Sequence, residues 1–229
     1  MEGALTRRQI AERVSRDLTP GMFVNLGIGL PTLVADFVDE EREVILHSEN
    51  GVVGVGRAAA EGHEDMDLID AGKTPVTLVT GGSYVNHTES FAMIRGGHLD
   101  LAVLGAYQVS RRGDLANWSA GSATDAPAVG GAMDLAVGAK RVAAIMSHCA
   151  RDGAPKLVEQ CSLPLTAVGA VDRIYTDLAV IDVVDEQFVV VEMIAGLQRD
   201  DLQACTGAPL TWGPSLATLA TASSPESGA

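Results

Sequence analysis

The feature that most constrains the fold of this chain is the alternation of short apolar runs with segments of helical periodicity. Each apolar run is long enough for one buried strand, and several runs end in glycine. Such alternation is typical of α/β proteins, in which helices cover a mostly parallel sheet. We therefore predict an open three-layer α/β sandwich with a largely parallel sheet, whose strands cover 22–26, 44–46, 76–79, 99–104, 142–146, 174–184 and 188–193.

Helical periodicity and capping residues predict the elements between these strands. Apolar residues recur at helical spacing from Leu5 to Leu18, and Thr6 with Gln9 resembles a capping box. Pro31 suits the first turn of a helix over 31–38. The remaining helices are predicted over 87–95, 130–139 and 200–205, and a hairpin turn is predicted at Asp185-Glu186.

The same pattern runs without a linker or an internal repeat, which predicts one domain over residues 1–210. From residue 211 to residue 229 the composition shifts to Ser, Thr, Ala, Gly and Pro. Segments of that composition bury little apolar surface, so we expect a loosely packed C-terminal tail.

Charge excludes several classes of partner. Among 229 residues, 16 are basic and 30 acidic, which gives a net charge of −14. Nucleic acids and anionic membrane surfaces need a basic face, so we expect neither as a partner. The sequence has no apolar run of about 18 residues that could span a membrane. Residues 1–8 lead into an amphipathic pattern without the apolar core of a signal peptide, so we expect a cytoplasmic protein.

Cysteine and histidine spacing gives no metal site. The three cysteines are far apart and form no Cys-x-x-Cys pair. The five histidines lack a metal-ligand spacing such as His-Glu-x-x-His. We therefore expect neither a disulfide framework nor a bound metal.

Ligands of open α/β sheets bind beyond the carboxyl ends of the strands, where this chain places many of its 25 glycines. The turn Gly27-Ile28-Gly29 follows a strand and precedes a predicted helix, as in a dinucleotide-binding motif. Leu30-Pro31-Thr32 stands where the third glycine of that motif belongs, which disfavours a dinucleotide site.

The segment Ser48-Glu49-Asn50-Gly51 is more specific. It puts a carboxylate at the end of a buried strand, followed by glycines at 51, 54 and 56. One interpretation is a solvated turn. The other is a nucleophilic carboxylate surrounded by backbone donors that stabilise a developing oxyanion. The residue types alone leave both open.

Several segments together resemble the β subunits of family I CoA-transferases. The resemblance covers about residues 5–210 and rests on Ser48-Glu49-Asn50-Gly51-x-x-Gly54-x-Gly56 and on the segments at 25–32, 94–100, 113–118 and 130–135. It implies the CoA-transferase fold, which is similar to that of ribose-5-phosphate isomerase. Arg57 departs from the family pattern, which has proline after Gly56.

Finer likeness points to the branch of this family that acts on 3-oxoadipate. The segments at 67–73, 80–82 and 126–131 carry it, and residues 121–125 differ from the Gly-Lys-Met segment of acetoacetate-type subunits. The resemblance therefore implies transfer of CoA from succinyl-CoA to 3-oxoadipate. The alternative enzymatic function is transfer of CoA to acetoacetate. The alternative non-enzymatic function is that of a sugar-phosphate-sensing regulator with the same fold.

The resemblance also implies a mechanism. Glu49 would be the nucleophile and would form a glutamyl-CoA thioester in a ping-pong reaction. Gly131 and Ala132 would lie beside that thioester and stabilise the oxyanion, with Gly130 at the same helix start. Asn50 and Gly51 are further candidates. CoA would be a substrate, with no tightly bound cofactor.

The implied acids carry a second carboxylate, which a cation in the acyl pocket would bind. Sequence candidates for that cation are Arg57, Lys73, Arg95, Arg111 and Arg112. A homologous α subunit is expected as partner, in a heterodimer or a dimer of heterodimers, because only the glutamate-bearing half is present.

Overall fold

The computed structural model describes residues 3–120 and 128–219. The strands of this part, numbered along the chain, are β1 (Phe23–Leu26), β2 (Ile45–Ser48), β3 (Val52–Ala58), β4 (Val76–Tyr84), β5 (Leu101–Gly105), β6 (Gln108–Ser110), β7 (Leu115–Ala116), β8 (Val142–Ile145), β9 (Leu157–Val158), β10 (Arg173–Tyr175), β11 (Ala179–Val184), β12 (Gln187–Ile194) and β13 (Leu210–Leu219). The helices are α1 (Arg7–Arg16), α2 (His87–Arg95), α3 (Ala132–Gly138) and α4 (Arg199–Ala204), with 3₁₀ helices at Leu30–Phe37 and Glu40–Arg42.

Ten strands form one sheet in the order β13-β12-β11-β10-β8-β5-β1-β2-β3-β4. Its five central strands, from β10 to β2, are all parallel to one another. Antiparallel pairs flank this centre on both sides, and β13 pairs parallel with β12 at one edge. The predicted α/β class with a mostly parallel sheet is confirmed.

Chain direction places helices on both faces of this sheet. From β1 the chain crosses to β2 on one side, whereas from β5 it crosses to β8 on the other. Right-handed crossovers in opposite directions put the 3₁₀ helix Leu30–Phe37 on one face and α3 on the other. Because α1 contacts that 3₁₀ helix and α2 contacts α3, the three predicted layers are present.

Capping residues begin α1 and α2 where the sequence predicts. The Thr6 hydroxyl accepts from the Gln9 N–H, and the Gln9 side chain accepts from the Thr6 N–H at 2.8 Å. The same reciprocal pair forms between Asn86 and Glu89 at the start of α2. Each pair satisfies two backbone donors that the first helical turn leaves free.

The segment predicted as a helix over 31–38 is a 3₁₀ helix. Its turns close hydrogen bonds between residues three apart, such as the Thr32 N–H to the Gly29 carbonyl at 3.3 Å. Pro31 lacks an N–H and Gly29 has a φ of 93°, so the segment starts in a tight turn. The sequence indicates a helix here but not its type.

Two segments outside the predicted strands also form strands. Residues 52–58 form β3, and β4 continues beyond residue 79 through Gly81 and Gly82 to Tyr84. Glycine permits this pairing, because a Cβ on Gly54 would lie 2.8 Å from the Cα of Gly82. Close backbone approach requires glycine as much as a turn does, so glycine content alone does not distinguish these strands from turns.

The apolar run 174–184 contains two strands rather than one. β10 and β11 pair antiparallel across a turn in which the Thr176 hydroxyl accepts from the Ala179 N–H at 2.9 Å. The turn lacks glycine and proline, so composition does not mark it. The hairpin at Asp185-Glu186 is confirmed, with φ of 49° and 59° at its two residues.

The expectation of a loosely packed tail from residue 211 is wrong for residues 211–219. These residues belong to β13, which pairs with β12, and Leu219 is 1% exposed. The ladder of β12 supplies backbone partners, so the strand forms despite its small side chains. Residues 220–229 lie outside the described part.

We expect Leu219→Ala to lower the free energy of unfolding by about 2–5 kcal/mol, because it leaves a cavity under the edge strand. The measurement is urea unfolding at neutral pH. The matched control is Thr218→Ala, since Thr218 is the exposed neighbour on the same strand. Equal stability of both variants and the unmodified chain would show that β13 does not pack on the core.

Candidate active site

A cavity of about 740 Å³ opens at the carboxyl ends of the central strands. Its walls include Gly27–Gly29 after β1 and Gly105–Tyr107 at the end of β5. These are the adjacent strands from which the chain departs in opposite directions, and a crevice forms at such a switch point. The sequence predicted a ligand site at this edge of the sheet.

Glu49 lines this cavity and follows β2 directly. Its side chain is half-buried, and burial raises the pKa of its carboxyl group. Electrostatic interaction with His87 opposes that rise, and the negative charge of Asp134 reinforces it. Glu49 thus lies in a turn after β2, but its carboxylate is partly withdrawn from water.

Gly131 permits the position of the Glu49 carboxylate. A Cβ on Gly131 would collide with Oε2 of Glu49, and it would also lie 2.9 Å from the ring of Phe91. Gly131 is the residue that precedes α3, and Gly130 before it has a φ of 58°. The predicted helix start thus lies against the candidate nucleophile, and Ala132 also lines the cavity.

A series of buried hydrogen bonds ends at the backbone carbonyl of Glu49 and fixes its position. The Asn25 amide donates to Nδ1 of His47 at 3.0 Å, and Nε2 of His47 lies 2.9 Å from the Ser90 hydroxyl. Ser90 donates in turn to the Glu49 carbonyl at 2.8 Å. Asn25, His47 and Ser90 are each at most 1% exposed.

These contacts assign the tautomer of His47. Because Nδ1 accepts from an amide, the proton is on Nε2 and points to Ser90. Burial lowers the pKa of His47 to about 4, so the ring is neutral at physiological pH. No local sequence pattern marks these hydrogen-bonded residues, because the bonded pairs are 22 and 43 residues apart.

Asn50 and Gly51 shape the loop around Glu49. The Asn50 side chain donates to the Ile69 carbonyl at 2.7 Å. Gly51 has a φ of 118°, and a Cβ there would collide with the Val85 carbonyl. Neither Asn50 nor Gly51 is among the described residues that line the cavity.

The cations suggested by the sequence lie elsewhere in the described part of the chain. Four of them form ion pairs: Arg57 with Asp39, Arg95 with Asp134, Arg111 with Glu159 and Arg112 with Glu186. Lys73 lies in a turn in which its N–H donates to the Asp70 carbonyl at 3.0 Å. The basic residues that line the described cavity are instead Arg7 and Lys156, neither of which was a sequence candidate.

Metal-binding clusters and membrane-spanning helices are both absent from the described residues. Among residues 3–120 and 128–219, no three His, Cys, Asp or Glu side chains are grouped so that they could hold a metal ion. Within the same residues, no helix has the length and apolar content needed to cross a membrane.

Comparisons with known proteins agree on one family. The Coenzyme A transferase family matches residues 7–203. The chain is 55% identical to a 3-oxoadipate CoA-transferase subunit of Pseudomonas putida KT2440 over 206 residues, which are 90% of this chain and 96% of that one. It is 48% identical to a succinyl-CoA:3-ketoacid coenzyme A transferase subunit of Helicobacter pylori 26695, over 88% of this chain and 97% of that one.

The fold matches as well. An acyl-CoA transferase of Escherichia coli O157:H7 superposes with a TM-score of 0.74 at 19% identity, over 93% of this chain. The match spans 43% of the length of that enzyme. At this identity the superposition supports the fold alone, whereas the family assignment rests on the sequence comparisons. The chain belongs to the coenzyme A transferase family.

Proposed function

We propose that this chain is the glutamate-bearing subunit of a transferase that moves CoA from succinyl-CoA to 3-oxoadipate. The observation that carries the proposal is the Glu49 carboxylate, held at the cavity wall against the glycine that precedes α3. The 55% identical Pseudomonas putida relative supports the choice of acceptor.

The proposed reaction conserves the energy of the thioester. An oxygen of the Glu49 carboxylate attacks the acyl-CoA carbonyl, the carbon–sulfur bond breaks, and a mixed anhydride and CoA thiolate form. The thiolate then attacks Cδ of Glu49, and the first acid leaves as its carboxylate. The acceptor acid repeats these steps in reverse, so the kinetics are ping-pong.

Burial suits Glu49 to this role. A half-buried carboxylate has lost part of its hydration shell, so less water must be displaced before it attacks. The hydrogen bond from Ser90 to the Glu49 carbonyl fixes the backbone from which the side chain extends. The cavity therefore offers a positioned and partly desolvated nucleophile.

Backbone donors lie where negative charge develops. Residues that begin a helix have N–H groups without helical partners, and Gly131 and Ala132 occupy that position at α3. Because Gly131 touches the Glu49 carboxylate, we assign these two amides to the oxyanion of each tetrahedral intermediate. Each such donor is worth about 3–4 kcal/mol of transition-state stabilisation. Gly130 supplies the turn before them, while Asn50 and Gly51 shape the nucleophile loop.

We expect Gly131→Ala to lower kcat at least about tenfold, because the added methyl group displaces the Glu49 carboxylate from the amides. The measurement is steady-state CoA transfer together with the melting temperature. Val137→Ala is the matched control, since Val137 is exposed on the same helix. A fully active and stable Gly131→Ala enzyme would rule out this geometry.

Glu49 should carry the covalent intermediate. Incubation with succinyl-CoA should add the mass of CoA, less water, to a peptide that contains Glu49, and borohydride should reduce that thioester. Glu49→Gln should give no adduct and no turnover, because an amide oxygen is a poor nucleophile. Glu61→Gln, in an exposed loop, is the control and should behave as the unmodified protein.

A label on another carboxylate would contradict this mechanism. A regulator on the same fold, such as a sugar-phosphate sensor, would form no thioester at all. The experiment therefore separates enzymatic function from the non-enzymatic alternative.

The second candidate function is transfer to acetoacetate, which the name of the 48% identical Helicobacter pylori relative, a succinyl-CoA:3-ketoacid transferase, favours. The segments at 67–73 and 80–82 favour 3-oxoadipate. Residues 121–127, which carry further branch-specific sequence, lie outside the described residues.

A homologous α subunit completes the proposed enzyme, in a heterodimer or a dimer of heterodimers. The relatives support it, because each is named as one subunit of its enzyme although this chain spans nearly their whole length. The cavity also opens outward at the carboxyl ends of the strands, where a second subunit would complete its wall.

We expect no turnover of succinyl-CoA plus 3-oxoadipate by this chain alone, and turnover once its α subunit is added. In the complex, kcat/KM should be higher for 3-oxoadipate than for acetoacetate. Both are measured by steady-state kinetics. Full activity of the isolated chain would refute the shared site, and a higher kcat/KM for acetoacetate would refute the acceptor.

A further inference from the structure

Lys156 presents an ammonium group to the reaction cavity. Its side chain is half-buried and lines the same cavity as Glu49. In the described part of the chain, no carboxylate lies within ion-pair distance of it. Asp177 is the nearby acid, but Oδ1 of Asp177 accepts from the His148 N–H at 2.6 Å. Lys156 is therefore a cation without an ion pair in the described part of the chain, although the charge of Asp177, which lines the same cavity, acts on it.

Backbone contacts place Lys156 across the cavity from Glu49. The Lys156 N–H donates to the His148 carbonyl at 3.2 Å, and its carbonyl accepts from the Val109 N–H at 2.9 Å. This fixes Lys156 beside the segment that follows β8. Three strand spacings separate β8 from β2 in the sheet, which puts the ends of these strands roughly 14 Å apart.

The cavity between these two residues has an apolar floor. Leu104 of β5, Ile145 of β8 and Met146 line it. From one side to the other, the site thus offers a nucleophilic carboxylate, an apolar stretch and an ammonium group. That order complements an acyl chain that reacts at one end and carries a negative charge at the other.

We propose that Lys156 binds the distal carboxylate of dicarboxylic acyl groups and so determines the acid specificity of the enzyme. This inference rests on the proposed function and deepens it by assigning the group that binds the second charge. Four of the cations that the sequence suggested are engaged elsewhere, as their ion pairs show.

Burial strengthens the contact. Desolvation lowers the pKa of Lys156, and the negative charge of Asp177 opposes that effect. An ammonium group that has already lost water gains more from a carboxylate than a hydrated surface lysine does. Arg7, the other cation of the cavity, is exposed at the first residue of α1, so it meets anions in water.

The test compares Lys156→Met with the unmodified enzyme, each assembled with its α subunit. In a ping-pong reaction, kcat/KM for the acceptor depends only on the half-reaction in which that acceptor attacks the thioester. We expect kcat/KM for 3-oxoadipate to fall at least about tenfold and that for acetoacetate to stay within about threefold. Lys156→Arg should retain most of the preference, because it keeps the charge.

Inhibition by non-reacting acids gives a second measurement. The inhibition constant of adipate, which has two carboxylates, should rise about tenfold in Lys156→Met. That of hexanoate, which has one, should stay unchanged. Lys140→Met is the matched control, because Lys140 pairs with Asp100 on the surface, away from the cavity.

Three outcomes would overturn the inference. An equal loss for both acceptors and both inhibitors would give Lys156 a structural role or a contact with CoA. An unchanged kcat/KM for 3-oxoadipate would exclude any contact with that acid. A selective loss in Arg7→Met instead would assign the charge to Arg7. Failure of the unmodified complex to form a Glu49 thioester would refute the proposed function itself, and that result is distinguishable from all three.

Discussion

The close approach of the Glu49 carboxylate to Gly131 is the contact on which the rest of the site depends. It requires a residue without a side chain at the start of α3 and a strand end that aims Glu49 at it. Both conditions follow from the sheet, because adjacent parallel strands bring loops far apart in sequence to one edge. The same contact brings the candidate nucleophile next to the backbone amides at the start of α3, so one contact accounts for both the geometry and the electrostatics of the proposed site.

The buried chain from Asn25 through His47 and Ser90 gives that geometry its support. It links β1, β2 and α2 to the carbonyl of Glu49 itself, with every step at 3.0 Å or less. This arrangement has a free-energy cost, because Oδ1 of Asn25 is buried without a hydrogen-bond partner among the described residues. An unsatisfied carbonyl oxygen costs about 1–3 kcal/mol, which is tolerated where the other groups of the network hold a functional residue.

Local patterns predicted the elements whose cause is local. The caps of α1 and α2, the central strands and the turn at Asp185 all depend on residues within a few positions of one another. Other strands form because a neighbouring strand supplies hydrogen-bond partners for their backbone, as for β3, the end of β4 and β13. No local sequence pattern encodes which strands become neighbours. The motif singled out Glu49, which lines the cavity, whereas Lys156 was not a sequence candidate because its position in the cavity depends on which strands are adjacent. Sequence identifies which residues are basic. Whether a basic side chain is available to bind a substrate depends on its burial and on its ion pairs, which only the folded structure shows.

The net charge of the whole chain differs from the charge that the proposed ligands require in the cavity. The net charge is −14, yet the proposed ligands, CoA and a dicarboxylic acid, are anions. Salt screens exposed charges beyond about 8 Å at physiological ionic strength, so the acidic surface has little effect on events inside the cavity. Recognition must then come from groups that the cavity itself holds out of water. The groups that we propose for this recognition are the backbone amides at the start of α3 and the half-buried ammonium of Lys156, through which an acidic protein would bind acids.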